Sequence, residues 1–319
     1  MRRFLSITLL SGAAIGFALG FVAAQTHMGL AWIAKVRPQP MAESQALGAP
    51  NSVSDKALSN DEWLAKIGAI NWNEPDGKEL MALQVAMADN AAVRDMLLQR
   101  FRAEQEPVSK TMLRNALIAN TNPDMVATAL QLARSKDANE SADGFLLLAE
   151  LAPSDAAYAL AKSKMVGATD PDVIATAVVA LRPVDVPTIE EEQVLVARLL
   201  ALVQLEAPMV RVHSVQKLVE LERHGSASMD VVLRALSDSD GEVRQAAVGA
   251  VMIGSLRSDP IRKALMVIVR NEMEDVQTRG AALFALDRFG LTNEERAETI
   301  AITKDFERRF GPSANGVKN

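Results

Sequence analysis

Three histidines are the first candidates for catalysis or metal binding, since imidazole serves both roles and the chain contains no cysteine. His213 and His224 are eleven residues apart, which puts them on one side of a helix but about 16 Å apart along its axis. That separation is too large for a shared metal ion, and His27 is far from both in the sequence. The lack of cysteine also excludes disulfides, thiol catalysis and thiolate metal sites.

The turn Asp238-Ser-Asp-Gly superficially resembles a calcium-binding loop. Its glycine is the fourth residue rather than the sixth, and no glutamate follows at position twelve, so we predict a turn and a helix N-cap. No pair among the 40 acidic residues is singled out by its spacing. Zinc-protease, serine-hydrolase, phosphate-loop and dinucleotide-binding motifs are also absent. We therefore predict no catalytic, cofactor-binding or metal-binding residue.

The helix after this turn has one face of small residues. Ala247, Ala250 and Val251 follow Arg244 at plus three, six and seven, a spacing that places them on one side of an α-helix. Small residues there let neighbouring helices approach closely. The same template recurs with Arg279, 35 residues later, and with Arg211, 33 residues earlier. Repeats at such a period are typical of stacked helix pairs, in which no unit buries its apolar face alone.

The pattern Asp-x-Asp-x-x-Val-Arg-x-x-Ala-x-x-Ala-Val at 238–251 resembles the second helix of a HEAT repeat of the short bacterial kind. The resemblance extends over roughly 168–290 and implies an α-solenoid whose arginine-bearing helices line the inner curve. It also implies a ladder of aspartate–arginine pairs between neighbouring repeats. The family includes proteins that attach bilins to phycobiliproteins, so a lyase-like or chaperone-like modifying factor is an alternative function. The residues that carry the structural repeat are Asp238, Arg211, Arg244 and Arg279.

Two departures from the family pattern predict an interrupted ladder. Met273 stands where the unit of Arg279 should have its aspartate, and Ile174 replaces the arginine of an earlier unit. Two capping boxes are predicted at helix starts, where hydroxyl and carboxylate satisfy free amides. They pair Ser239 with Glu242, and Thr292 with Glu295.

The chain is predicted to be all-α. Residues 61–310 form an α-solenoid of about seven antiparallel helix pairs that ends in a C-terminal capping helix. A flexible linker, rich in proline, serine and glycine, occupies 36–60, and a disordered tail occupies 311–319. The predicted pairs lie near 61–89, 91–120, 123–151, 153–182, 187–223, 228–254 and 259–289.

Residues 1–35 are predicted to be a signal anchor with one transmembrane helix. Two arginines precede an apolar stretch over 4–24 that is long enough to cross a bilayer. The arginines favour a cytoplasmic N-terminus at the inner membrane and a periplasmic C-terminal domain. The alternative is cleavage after the small residues that end at Ala24, which would release a soluble periplasmic protein.

Gly12, Gly16 and Gly20 are spaced four apart in the apolar stretch. Small residues at this spacing let two membrane helices pack closely. They predict a weak homodimer through the membrane helix, with an unpaired anchor as the alternative.

The inner face of the array is the predicted partner surface. At plus one, five and eight of each unit, the residues are more apolar than a solvated face needs, which predicts a mildly hydrophobic groove for a helix or extended segment of another protein. The alternative is that these helices are simply buried on three sides. The exposure of Val212, Val219 and Phe284 decides between the two. The predicted partner-binding residues are Val179, Arg182, Val212, Gln216, Val219, Gln245, Met252, Phe284 and Asp287.

A formal net charge of −6 and a pI near 5.3 argue against a nucleic-acid partner. We therefore predict a membrane-tethered, HEAT-like scaffold that binds envelope or membrane proteins on the periplasmic side without catalysis or a cofactor. An enzyme on the same scaffold is the alternative.

Overall fold

The structure, a computed structural model, describes residues 58–119, 123–224, 226–254 and 256–310. Within these ranges the chain forms fifteen α-helices and no strand, which confirms the all-α prediction. The helices are α1 Asn60–Ala69, α2 Gly77–Asp89, α3 Ala91–Ala103, α4 Pro107–Ile118, α5 Pro123–Ala133, α6 Ala138–Glu150, α7 Asp155–Gly167, α8 Pro171–Val179, α9 Ile189–Leu202, α10 Pro208–Leu221, α11 Ala227–Ala235, α12 Gly241–Ile253, α13 Asp259–Arg270, α14 Val276–Leu286 and α15 Asn293–Phe310.

Helix starts follow from short polar side chains that accept backbone amide hydrogen bonds. Asp240 caps α12 by accepting from two amides of its first turn. The predicted capping box of Ser239 and Glu242 is therefore wrong, because the cap lies one residue later. The box of Thr292 and Glu295 is confirmed, since each backbone N–H donates to the other's side chain, at 2.8 and 3.2 Å.

The helices stack in two rows. Even-numbered helices contact the next even-numbered helix from α2 to α14, and α10 packs between α8 and α12. Odd-numbered helices make fewer such contacts, which join α1 to α3, α5 to α7, α9 to α11 and α11 to α13. Each of the seven predicted ranges holds two of these helices to within one residue. This arrangement is consistent with a helical solenoid.

The face of small residues is the packing face of the even-numbered row. Ala247 and Val251 are 0% exposed and Ala250 is 3% exposed in α12. Ala282 and Ala285 occupy the matching positions of α14 and are buried as well. Small side chains at these positions bring the helix axes close together.

Gly144 lies where α6 approaches the backbone of α5 closely. A Cβ atom on Gly144 of α6 would lie 2.2 Å from the backbone nitrogen of Ala133 at the end of α5. No neighbouring side chain could move aside, because the clash is with backbone. The sequence analysis did not identify this glycine.

No helix within the described residues is both long and apolar enough to span a membrane. The predicted anchor at 1–35, with Gly12, Gly16 and Gly20, lies outside the described residues, as does the tail at 311–319. Most of the predicted linker at 36–60 also falls outside them. The membrane helix and the division into domains stay predictions.

Candidate protein-binding surface

Three arginines occupy the same position at the N-terminal ends of successive even-numbered helices. Arg211, Arg244 and Arg279 are each the fourth residue of their helix, in α10, α12 and α14. The predicted repeat therefore corresponds to a repeated place in the stack. What each guanidinium contacts depends on the loop of the following repeat.

Arg211 binds Asp238 through two hydrogen bonds. Its Nε and Nη2 atoms donate to the two carboxylate oxygens at 3.0 and 2.8 Å. Its Nη1 atom donates to the carbonyl oxygens of Leu205 and Glu206, in the loop before α10. One side chain thus joins its own loop to the next repeat.

Arg244 makes the same set of bonds one repeat later. Nε and Nη2 donate to Glu274 at 2.7 and 2.8 Å, and Nη1 donates to the carbonyl oxygens of Asp238 and Ser239. The interruption predicted at Met273 is therefore corrected. The next residue, Glu274, supplies the carboxylate, while the Met273 side chain is 92% exposed.

Arg279 ends this series. Its Nε atom donates to the carbonyl oxygen of Val269 at 3.2 Å, within its own helix pair. We refer to the bonds of Arg211, Asp238, Arg244 and Glu274 as the N-terminal ladder.

The pKa shifts of Asp238 and Arg244 favour the charged forms of these two side chains. Burial raises the pKa of the Asp238 carboxyl, but the hydrogen bonds from Arg211 and the Asp240 amide, with nearby arginine charge, outweigh it and lower the pKa overall. The hydrogen bond to Glu274 raises the pKa of Arg244. The Glu274 side chain is only 2% exposed, and the Arg244 guanidinium donates to both of its carboxylate oxygens.

The predicted partner-binding residues are mostly half-buried rather than buried. Val212 is 8% exposed and offers almost no surface, because α10 lies against four neighbouring helices. Burial of Val212, Val219 and Phe284 together would have excluded the predicted groove, but Val219 and Phe284 are only half-buried. Asp287 is exposed. The remaining half-buried members are Val179, Arg182, Gln216, Gln245 and Met252.

Several of these residues meet at the C-terminal ends of the even-numbered helices. Arg182, just past α8, donates to the carbonyl oxygens of Ala149 and Leu151 at the end of α6, at 2.6 and 2.9 Å. Arg288, just past α14, donates to the carbonyl oxygen of Met252 at 2.6 Å. Each arginine thus lies at the negative end of the preceding even-numbered helix, where a cation is favourable.

Arg288 links Phe284 to Met252, and Val219 lies close to Gly254, just past the end of α12. The Arg288 guanidinium lies 5.6 Å from the centroid of the Phe284 ring, and it bonds the Met252 carbonyl. A Cβ atom added at Gly254 would lie 3.0 Å from Val219. We call Val219, Met252, Phe284 and Arg288 the C-terminal edge.

The sequence analysis missed a carboxylate that joins α9 to the end of α10. Glu192 accepts from the amides of Arg223 and His224 and contacts the His224 ring nitrogen at 2.9 Å. Burial raises the pKa of Glu192, but these hydrogen bonds outweigh it and lower the pKa to about 2. Glu192 is the last of three consecutive acidic residues in the first turn of α9, where negative charge is favourable.

A second missed pair lies between α4 and α6. Lys110 bonds Asp143 at 2.9 Å, and the Asp143 side chain is 9% exposed. Burial raises the pKa of Asp143, although Lys110 opposes the shift. Spacing along the sequence could not have paired residues 33 apart in helices of unknown rotation.

In the described part of the chain, no three His, Asp or Glu side chains are grouped closely enough to hold a metal ion. A pocket of about 140 Å³ lies beside Arg211, Asp238 and Arg234, but the first two side chains already bond each other. The arrangement supports packing and charge pairing between repeats.

Comparisons with known proteins show the class of fold. No protein-family model matches the sequence, and no curated protein does either. Among solved structures, the chain is similar to the YibA protein of Escherichia coli, with 15% identity and a TM-score of 0.52 over 73% of this chain and 81% of that one.

The chain also shows likeness to the complex of CpcE and CpcF of phycocyanin lyase from Nostoc sp. PCC7120. Identity is 13% and the TM-score is 0.42, over 82% of this chain and 99% of that one. The YibA protein is a HEAT-like helical repeat protein, so the likeness to it confirms the predicted helical-repeat class of fold. Identities this low show fold alone, and the second likeness supports nothing further.

Proposed function

We propose that this protein is a helical-repeat scaffold that binds a segment of another protein along its C-terminal edge. The observation that carries the proposal is that the even-numbered helices α10, α12 and α14 each present a half-buried apolar side chain, Val219, Met252 and Phe284, and that Arg288 bonds the Met252 carbonyl and lies over the Phe284 ring. Extended faces of stacked repeats are suited to helices or extended segments of partners.

The chain's N-terminal sequence supports a location for this scaffold. We propose that residues 1–35 anchor it in the inner membrane and that the repeats face the periplasm, where the partner is an envelope or membrane protein. N-terminal sequencing of the mature protein distinguishes an uncleaved signal anchor from a cleaved signal peptide. Met1 at the N-terminus supports the anchor, whereas Gln25 supports cleavage after Ala24.

Photocrosslinking in cells tests the binding surface. A photoreactive amino acid replaces Phe284 or Met252 in turn, and adducts are identified by mass spectrometry. Val267 on α13 is the matched control, because it is apolar, 63% exposed and in the odd-numbered row. We expect both edge positions to capture the same protein and Val267 not to capture it. Adducts at Val267 alone would move the binding face to the odd-numbered helices.

A charge substitution then tests whether the captured contact is apolar. Phe284→Glu places a carboxylate on the half-buried ring site and should abolish the adduct formed at Met252. Val267→Glu, on the control helix, should leave that adduct at its wild-type yield. Equal yields for both variants would contradict a partner seated on Phe284.

A further inference from the structure

An open pocket of about 260 Å³ lies next to the C-terminal edge. It is formed where α12 ends, α13 begins and α14 ends, and three arginines line it: Arg257, Arg262 and Arg288. Phe289 lies in the same wall and Asp259 at the start of α13. None of the predicted partner-binding residues lines this pocket.

The three arginines differ in whether a carboxylate pairs with them. Arg262 bonds Glu295 and also contacts Asp259 at 3.4 Å. Arg257 and Arg288 have no carboxylate partner among the described residues. Their guanidinium groups donate to backbone carbonyl oxygens, at 2.8 Å to Val251 and 2.6 Å to Met252.

Aromatic rings flank the two arginines. The Arg257 guanidinium lies 5.1 Å from the Phe289 ring centroid, and that of Arg288 lies 5.6 Å from the Phe284 ring centroid. Burial lowers the pKa of Arg257, and the neighbouring positive charge of Arg288 lowers it further. An anion between the two guanidinium groups would relieve this repulsion.

The balance of charge selects the class of anion. Asp259 and Glu295 both lie against Arg262. Counted together, the three arginines and these two carboxylates leave one net positive charge at the pocket. The pocket therefore matches a single negative charge better than a doubly charged phosphate. Planar guanidinium groups bind a carboxylate in a two-pronged geometry, and the rings favour an apolar neighbour beside it.

We propose that Arg257 and Arg288 bind a glutamate or aspartate side chain within an acidic and apolar segment of the partner protein. This inference rests on the proposed function, since the pocket continues into the C-terminal edge through Arg288 and Phe284. It adds the chemistry that the partner segment must carry.

Isothermal titration calorimetry of the full-length chain tests the site by measuring its affinity for a defined probe, the peptide acetyl-Leu-Glu-Glu-Leu-Glu-amide. Its glutamine counterpart and inorganic phosphate are titrated in parallel at equal ionic strength. We expect the glutamate peptide to bind at least about tenfold more tightly than either, the size of one charge-assisted hydrogen bond. Phosphate binding equal to the peptide, or glutamine binding equal to glutamate, would overturn the carboxylate assignment.

Variants locate the peptide on the protein. Arg288→Gln should weaken the glutamate peptide about tenfold, since it removes one guanidinium. Arg257→Lys keeps the charge but removes the planar fork, and should weaken it by a smaller factor. Lys263→Gln removes an exposed cation on α13 that does not line the pocket and should change nothing. A loss for Lys263→Gln equal to that for Arg288→Gln would indicate only general attraction of charge.

Crosslinking with the same variants separates this inference from the proposed function. Absence of any adduct at Phe284 or Met252 in the wild-type chain contradicts the proposed function, whatever the peptide does. Adducts that persist at full yield in Arg288→Gln, with no preference for the glutamate peptide, support the scaffold and contradict the carboxylate site. Loss of both adduct and peptide affinity in Arg288→Gln supports the two together.

Discussion

The two ends of the even-numbered helices use arginine in opposite ways. At the N-terminal ends, Arg211 and Arg244 each bind a carboxylate of the next repeat through two hydrogen bonds. At the C-terminal ends, Arg257 and Arg288 bond backbone carbonyl oxygens and lie over rings. The arginines of the N-terminal ladder are thus neutralised by carboxylates of the next repeat, whereas Arg257 and Arg288 have no carboxylate partner among the described residues.

Burial explains why the N-terminal ends must be neutral. The Glu274 side chain is 2% exposed and Arg244 is 22% exposed, so an unpaired charge there would be poorly solvated. Arg288 is exposed and keeps its hydration without a carboxylate. The same residue type therefore stabilises the fold in one place and offers a binding group in the other.

Removing the ladder carboxylate should have the largest effect. Glu274→Gln leaves the Arg244 guanidinium without its charged partner, and we expect roughly 2–4 kcal/mol less free energy of unfolding. Urea unfolding followed by circular dichroism measures this loss. Glu298→Gln is the control, because it breaks an exposed pair with Arg270 and should cost no more than about 1 kcal/mol. Equal losses would show that burial does not distinguish the ladder.

The second-largest effect is expected from acid, which protonates Asp238 and Glu192 and removes their contribution to stability. Asp238 has a lowered pKa in the folded chain, and that of Glu192 is about 2. The unfolded chain takes up protons first, so the stabilisation is present above about pH 4, the ordinary carboxyl pKa, and is lost as pH falls through the folded values. Unfolding midpoints from pH 5 to pH 2 measure this. Glu192→Gln should show a shallower decline, and a slope equal to wild type would contradict the lowered pKa.

Changing the C-terminal edge should affect stability little. Arg288→Gln removes one hydrogen bond from an exposed side chain, and we expect about 1 kcal/mol or less. Thermal unfolding compares it with wild type. A loss as large as that of Glu274→Gln would mean that this arginine, too, is needed by the stack.

The smallest effect on stability is expected at Met273, where the sequence pattern predicted an interruption of the ladder. Met273→Asp restores the carboxylate of the family pattern, but Arg244 already binds Glu274. The Met273 side chain is 92% exposed, so we expect a change within about 0.5 kcal/mol. Urea unfolding measures it, and stabilisation well above that value would show that the ladder was incomplete.

Much of the fold could be predicted from the sequence because helix periodicity is local. The face of Ala247, Ala250 and Val251 is buried as its spacing predicts, and the capping box of Thr292 and Glu295 forms as predicted. These features depend on residues within one or two turns of each other.

Contacts between repeats could not be predicted in the same way. The carboxylate that bonds Arg244 was expected at position 273 but comes from Glu274, because the loop before α14 directs the Glu274 side chain to Arg244. Glu192 meets His224 across 32 residues, and Gly144 is required by the backbone of Ala133. Such pairings depend on helix rotation and loop path, which spacing alone does not give.

The pocket at Arg257 and Arg288 illustrates the same limit for function. Neither arginine belongs to the repeated pattern, since one lies in a loop and the other follows a helix end. Their convergence depends on how α12, α13 and α14 meet. The sequence pointed to Phe284 and Met252 on the inner face, and the structure adds the cations beside them.

The most direct test of this account is the affinity of the acetyl-Leu-Glu-Glu-Leu-Glu-amide peptide for two variants under conditions where both are folded. Glu274→Gln should bind the peptide as wild type does, although it unfolds more readily. Arg288→Gln should bind it about tenfold more weakly, although its stability is nearly unchanged. Equal affinity in the two variants, or a loss in Glu274→Gln alone, would contradict the division between the two ends of the helices.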